Sequence, residues 1–233
     1  MKREIMRMKE LSALLREASR AYYHENREIM TDREYDALYD ELVRLEGETK
    51  TILAGSPTQK VGYEVVSALQ KVPHAQPMLS LDKTKDINTL AAFLGEQAGL
   101  LTWKLDGLAL SITYENGILM QALTRGNCTI GEDVTHNARF IHNIPKNIDF
   151  MGNLTLRGEA VIRFSEFARI NEVLPEGEKY KNPRNLCAGT MRQLDTRIAA
   201  ARKVEYYPFS MMTGPEFTKK SDGLEFLKQQ GLL

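Results

Sequence analysis

The chain contains no apolar run approaching the roughly 18 residues that a membrane span requires. Its opening residues, Met1-Lys2-Arg3-Glu4-Ile5-Met6-Arg7, carry charge where a secretory signal would place its apolar stretch. A cytoplasmic location, with no membrane partner, is the expectation. Cysteine is scarce. Cys128 and Cys187 are the only two in 233 residues, too few for a four-cysteine zinc site, and in a reducing compartment they read as unpaired thiols. No metal-ligating set of side chains stands out. Net charge is absent as well. The 31 basic and 31 acidic side chains cancel, so the overall balance does not mark a nucleic-acid binder.

What is present is an ordinary globular composition, with 42% hydrophobic residues, enough to bury a real core. The charge is unevenly distributed. Residues 24–48 carry nine acids against three arginines. Residues 179–203 carry seven bases against Asp195 alone. The first segment is unsuited to a phosphate backbone, and the second suits phosphates.

Two helices are expected first. Ile5, Met8, Leu11, Leu15, Ala18 and Tyr22 recur at helical spacing. Thr31 and Glu34 form a capping-box pattern for a second helix, striped by Tyr35, Leu38, Tyr39, Leu42 and Leu45 and ended by Gly47. Gly55-Ser56-Pro57 opens a linker, and the division falls between residues 1–66 and 67–233. From Leu101 the pattern turns strand-like. Two strands flank Asn116-Gly117, the strongest short hairpin signal. Further strands are expected over 154–162 and 204–211, with Ser165 and Ser221 capping helices. Together these predict an α+β chain, a small helical module followed by an antiparallel-sheet domain.

The chemistry gathers at Trp103-Lys104-Leu105-Asp106-Gly107. A lysine amine attacks only when neutral, so a nucleophilic lysine near neutral pH needs a pKa well below its free value of about 10.4. Asp106, two residues on, shares one side of an extended segment with Lys104, and Gly107 lets backbone approach closely. Downstream stand Thr124-Arg125-Gly126-Asn127-Cys128, Arg157-Gly158-Glu159 inside a strand, and Asn182-Pro183-Arg184 through Arg192-Gln193-Leu194-Asp195. One lysine, several arginines and a strand carboxylate form the inventory for phosphoryl chemistry on a nucleotide.

With Thr31-Asp32-Arg33-Glu34-Tyr35-Asp36 and Pro77-Met78-Leu79-Ser80-Leu81-Asp82, these motifs run in the order found in bacterial NAD+-dependent DNA ligases. The chain closely resembles their N-terminal helical module and adenylation domain, an ATP-grasp-like nucleotidyltransferase fold. The resemblance implies that Lys104, with Asp106 and Gly107, attacks the α-phosphorus of NAD+, expels nicotinamide mononucleotide and becomes a lysine–AMP. It places Arg125 on the nucleotide's ribose or phosphate, Glu159 on the AMP ribose, Ser80 and Leu81 beside adenine, and Phe209 stacked upon it. Arg184 and Arg192 fall to the reacting nucleotide or to phosphates of nicked double-stranded DNA. Tyr22, Tyr23, Asp32, Tyr35 and Asp36 fall to the mononucleotide half, whose pyridinium cation suits aromatic faces and carboxylates. Mg2+ is the implied cofactor and a monomer the implied state.

Three departures stand out. Thr102 occupies the place of a glutamate that reads adenine in the family. Asn127-Cys128 replaces Asp-Gly, and Lys83 replaces asparagine. The family's last two lysine-bearing nucleotide motifs and its DNA-encircling domains are expected beyond Leu233, which makes the sheet domain incomplete at its C-terminus. Two readings therefore stand beside each other: an adenylating ligase region, and a catalytically deficient NAD+-binding or interaction protein derived from one. A third, an ATP-dependent ligase or capping enzyme, is disfavoured by Tyr22, Asp32, Tyr35 and Asp36, since such enzymes hold no nicotinamide.

Overall fold

In a computed structural model, residues 2–24, 27–53, 56–58, 69–79 and 82–232 are described, with the backbone alone at positions 2, 23, 24 and 32. Helices α1 (Lys2–His24) and α2 (Asp32–Thr49) pair through a small core of Met8, Leu11, Leu15, Leu42 and Leu45. These are the residues of the expected stripes, buried because each helix alone would leave an apolar face in water. The capping box forms as expected. Thr31 Oγ1 accepts from the Glu34 amide at 3.2 Å, and Glu34 Oε2 accepts from the Thr31 amide at 2.8 Å. Gly47 does not end α2. The helix continues to Thr49, whose hydroxyl donates to Leu45 O at 2.7 Å, and Lys50 takes the left-handed cap at φ 49°.

The remaining chain builds on a four-stranded antiparallel sheet. The strands are β2 (Leu108–Glu115), β3 (Ile118–Thr124), β5 (Asn153–Ile162) and β6 (Val204–Thr213), in the order β3-β2-β5-β6. The hairpin between β2 and β3 turns on Asn116 and Gly117, both at positive φ, the twist that favours a two-residue turn. A two-stranded ribbon of β1 (Lys71–Pro73) and β4 (Ile130–Glu132) lies beside it. Short helices complete the layer. They are α3 (Ile87–Leu94), α4 (Thr135–Ala138), α5 (Phe164–Val173), α6 (Pro183–Met191), α7 (Thr196–Ala201) and α8 (Lys220–Gln229).

Strand alternation explains the two faces of the sheet. Leu110, Ile112, Tyr114, Leu154, Leu156, Ala160, Ile162 and Tyr206 enter the main core with Leu186, Cys187 and Met191 of α6. Arg157 and Glu159 alternate with these residues and so occupy the opposite, partly open face. That is why charges interrupt an apolar strand. Both thiols are free and buried. Cys187 Sγ donates to Ala160 O at 3.2 Å, and burial pushes its pKa up to about 12, leaving it inert.

Two expected caps are corrected. α5 and α8 begin one residue or more before Ser165 and Ser221, with Arg163 and Lys219 at the N-caps and no side-chain cap bond. The first strand of the hairpin, β2, begins at Leu108, later than the strand-like pattern that sets in at Leu101. Residues 98–106 form no helix or strand and are exposed, with Leu101 at 97% and Trp103 at 92%.

α6 starts at Pro183, where a missing N–H costs nothing, after Asn182, whose Oδ1 accepts from the Asn185 amide at 2.8 Å. Asn182→Ala is expected to lower the unfolding free energy by about 1 kcal/mol, while Asn182→Asp holds most of it. Urea denaturation of the two variants checks this.

Candidate nucleotide site

The Lys104 segment is held from its side, by hydrogen bonds outside any ladder. The Gly107 amide donates to Glu159 Oε1 at 3.1 Å, and Asp106 Oδ1 accepts from Arg184 Nη1 at 2.8 Å. Glu159 and Arg184 belong to β5 and to the first turn of α6, two elements anchored in the main core. Glycine is required at 107 for a reason other than the nucleotide approach expected from its motif. A Cβ there would meet the backbone oxygen of Ala160 at 2.0 Å, so the bare backbone is what lets the segment join β5.

One row crosses the sheet at this end. The Arg125 amide donates to Ala109 O at 3.1 Å, Ala109 faces Glu159, and Glu159 faces Tyr207. Lys104, Asp106 and Arg184 all act electrostatically on the Glu159 carboxyl. Burial raises the Glu159 pKa above its ordinary value, with Arg184 and the Gly107 amide pulling the other way.

The Arg125 loop is tightly built. Gly126 sits at φ +52°, and a Cβ there would meet Ile130 O at 1.9 Å. Asn127 Oδ1 accepts from the amides of Thr129 and Ile130 at 3.1 and 2.7 Å. Cys128 takes φ +74°, a conformation that favours glycine, so the replacement of Asp-Gly by Asn-Cys places backbone strain in this loop. His74 supports it from below, with Nε2 3.2 Å from Arg125 O and a pKa lowered by burial. Nothing in its sequence neighbourhood marks His74 for this role.

A second concavity lies on the helical module. Its pocket, about 100 Å³, is lined by Ala18, Ser19, Tyr22, Glu28, Ile29, Met30 and Tyr35. Ser19 and Tyr35 share a hydrogen bond of 2.9 Å. The guanidinium of Arg184 lies 4.7 Å from the Tyr22 ring centre, and Lys181 Nζ donates to Glu28 O at 2.6 Å. The basic segment 179–203 thus directs part of its charge at the acidic module, which the charge pattern alone did not reveal. Ala18 and Ser19 could have been found from Tyr22, since they lie one helical turn before it.

Several expected residues stand elsewhere. Asp36 does not line the pocket. Its Oδ1 accepts from Lys83 Nζ at 2.8 Å, and that ammonium also lies 5.9 Å from the Tyr39 ring centre. Arg192, expected to face phosphate, is drawn inward: its Nε donates to Oε2 of buried Glu132 at 2.6 Å, tying the end of α6 to β4. Phe209 sits at the bulge of β6 opposite Arg157 and Gly158, 40% exposed, and Tyr207 is the aromatic in register with Glu159. Thr102 is exposed on the Lys104 segment. Ser80 and Leu81 lie outside the described residues, as do the side chains of Tyr23 and Asp32.

With this geometry, comparison with known proteins is decisive. Residues 66–233 match the NAD-dependent DNA ligase adenylation domain, and residues 1–62 match the DNA ligase-like N-terminal NAD+-binding domain. The chain belongs to the NAD-dependent DNA ligase family. It is 50% identical over 229 residues to the DNA ligase of Lachnoclostridium phytofermentans, an alignment covering 97% of this chain and 35% of that protein. It is 48% identical over 232 residues to that of Ruminiclostridium cellulolyticum, covering 98% and 35%. The DNA ligase of Rubrobacter xylanophilus is 40% identical over 244 residues, covering 97% and 36%. The chain therefore spans about a third of the length of these relatives. Among the described residues no helix is long and apolar enough to cross a membrane.

Glu159 makes the site sensitive to pH. A raised folded-state pKa means that the fold holds this proton more tightly than the unfolded chain does. The stability linked to it is fully present below the ordinary carboxyl pKa and is lost as pH rises through the raised value. Glu159→Gln keeps a neutral side chain at every pH, so its stability relative to the parent is expected to improve from pH 4 to pH 7. Denaturant titrations across that range check the sign.

Proposed function

We propose that this chain performs the adenylate-transfer step of an NAD+-dependent DNA ligase. Lys104 Nζ attacks the α-phosphorus of NAD+. A nitrogen–phosphorus bond forms, the bond from phosphorus to the bridging oxygen breaks, and nicotinamide mononucleotide leaves with that electron pair. The amine proton passes to water, to which the exposed segment is open. Lysine–AMP then supplies the adenylate for sealing nicked double-stranded DNA in the family reaction.

The observation that carries the reading is convergence. Lys104, Asp106, Gly107, Glu159 and Arg184 meet at one end of the sheet, and Arg184 also touches Tyr22 of the helical pocket. A pocket with Tyr22 and Tyr35 in its wall suits a flat cation, which nicotinamide mononucleotide is. In this reading Glu159 holds the ribose, Arg125 the ribose or phosphate, and Phe209, Ser80 and Leu81 the adenine. Thr102 gives a weaker adenine contact than a glutamate. Tyr23, Asp32 and Asp36 complete the mononucleotide side once Lys83 yields Asp36. Arg192 supports the Arg125 loop through Glu132. Among the described residues no group of three His, Cys, Asp or Glu side chains could hold a metal. Mg2+ would then be carried chiefly by the nucleotide phosphates, neutralising their charge. The division at residues 66 and 67, a monomeric state and a cytoplasmic location belong to the same proposal.

One observation favours the alternative of an NAD+-binding protein without turnover. Residues 98–106 lack a ladder partner among the described residues, so Lys104 is fixed from one side. Intact-mass measurement separates the two. After incubation with NAD+ and Mg2+ the chain is expected to gain one AMP and to release an equal amount of nicotinamide mononucleotide. Lys104→Ala gains none, and ATP does not replace NAD+. An unchanged mass with NAD+ overturns adenylation and leaves the binding reading.

A further inference from the structure

Arg184 makes contacts that place it in two sites at once. Its guanidinium lies 4.7 Å from the centre of the Tyr22 ring, inside the range in which a cation is attracted to an aromatic face. Its Nη1 donates to Asp106 Oδ1 at 2.8 Å, two residues from Lys104. Its side chain is 25% exposed, whereas that of Asp106 is 63% exposed, so the ion pair is open to water on the Asp106 side. Asp106 is continuous with Gly107, whose amide is bound to Glu159. A connected path therefore runs from the wall of the helical pocket to the nucleophile segment, and Arg184 is its middle member.

We propose that Arg184 is a positioning residue that couples occupancy of the Tyr22 pocket to the placement of the nucleophile segment. The proposal rests on reading that pocket as the nicotinamide site. The pyridinium ring is itself a flat cation. When it enters the pocket it meets an aromatic ring that already carries one, and two cations on one ring repel. The guanidinium is displaced from Tyr22 but remains tethered to Asp106 by a charge-assisted hydrogen bond. Its positive charge then lies wholly on the side of Lys104, where the phosphate charge of the dinucleotide arrives. Nicotinamide thus acts through Arg184 on a segment it does not touch. By linkage, the position of the segment acts back on affinity in the pocket to the same degree.

The chain has a single tryptophan, Trp103, beside Lys104 and 92% exposed, so its one indole N–H resonance reports on the nucleophile segment. Nicotinamide riboside, a pyridinium cation with no phosphate, probes the pocket without direct phosphate contacts. Saturation-transfer NMR on its ring protons reads occupancy. In the native chain the Trp103 resonance is expected to shift in step with occupancy. Arg184→Lys holds the charge but loses the flat stacking group, and Arg184→Gln loses both. In both variants the riboside is expected to bind, with half-saturation in Arg184→Gln about two- to fivefold lower because the resident cation is gone. The Trp103 shift is lost in Arg184→Gln and at most residual in Arg184→Lys. Full occupancy with an undiminished Trp103 shift in both variants overturns the coupling. No occupancy of the native chain overturns the nicotinamide reading and the coupling with it, and the saturation-transfer signal tells the two failures apart.

Discussion

The hydrogen bond from the Gly107 amide to the Glu159 carboxylate, 3.1 Å, joins the exposed Lys104 segment to the folded sheet. Residues 98–106 have no ladder of their own among the described residues, so their placement depends on what grips the segment at its end. Gly107 can enter only because it has no Cβ, and Glu159 can receive it only because β5 turns that side chain to the open face. The carboxylate is half-buried at a cost in desolvation, which the nearby cations Arg184 and Lys104 partly offset. The same cations are those a nucleotide phosphate would meet. Packing, electrostatics and chemistry therefore share a few atoms at one end of the sheet.

The second grip, Asp106 on Arg184, reaches further. Arg184 stands in the first turn of α6, positioned by the Asn182 cap and Pro183, and α6 is seated on the sheet by Leu186, Cys187 and Met191. From this firm base its long side chain spans to Tyr22 of α1. Lys181 and Lys83 reach the helical module from the same domain. The module's acidic and aromatic surface is thus engaged by cations belonging to the chain itself. A pyridinium cation would have to compete with them, so binding at one half of the chain bears on the other.

Local chemistry wrote much of this into the sequence. Thr31 and Glu34 announced their capping box, Asn116-Gly117 their hairpin, and the stripes of α1 and α2 their small core, because each depends on neighbours a few residues apart. Lys104, Asp106, Arg125, Glu159 and Arg184 were legible as one inventory, and all but Arg125 converge with the Gly107 amide through a hydrogen bond, an ion pair or electrostatic influence on Glu159. What escaped depends on distance along the chain. Asp36 and Lys83 are 47 residues apart, Glu132 and Arg192 are 60, and no local pattern pairs them. Arg192 looked free for phosphate only while Glu132 was unseen. The exposed run before Leu108 has a strand-like pattern, but a strand also needs a ladder partner, and the run has none among the described residues. The helix starts at Phe164 and Lys220 escape the pattern because no side chain of Arg163 or Lys219 caps them, leaving serine nearby as a false signal.

The account requires a particular nitrogen to accept the adenylate. Fragmentation mass spectrometry of the chain after reaction with NAD+ and Mg2+ locates that group residue by residue. The account predicts a single adenylylated site, Lys104. An adenylate found on another lysine, with Lys104 unmodified, would contradict it.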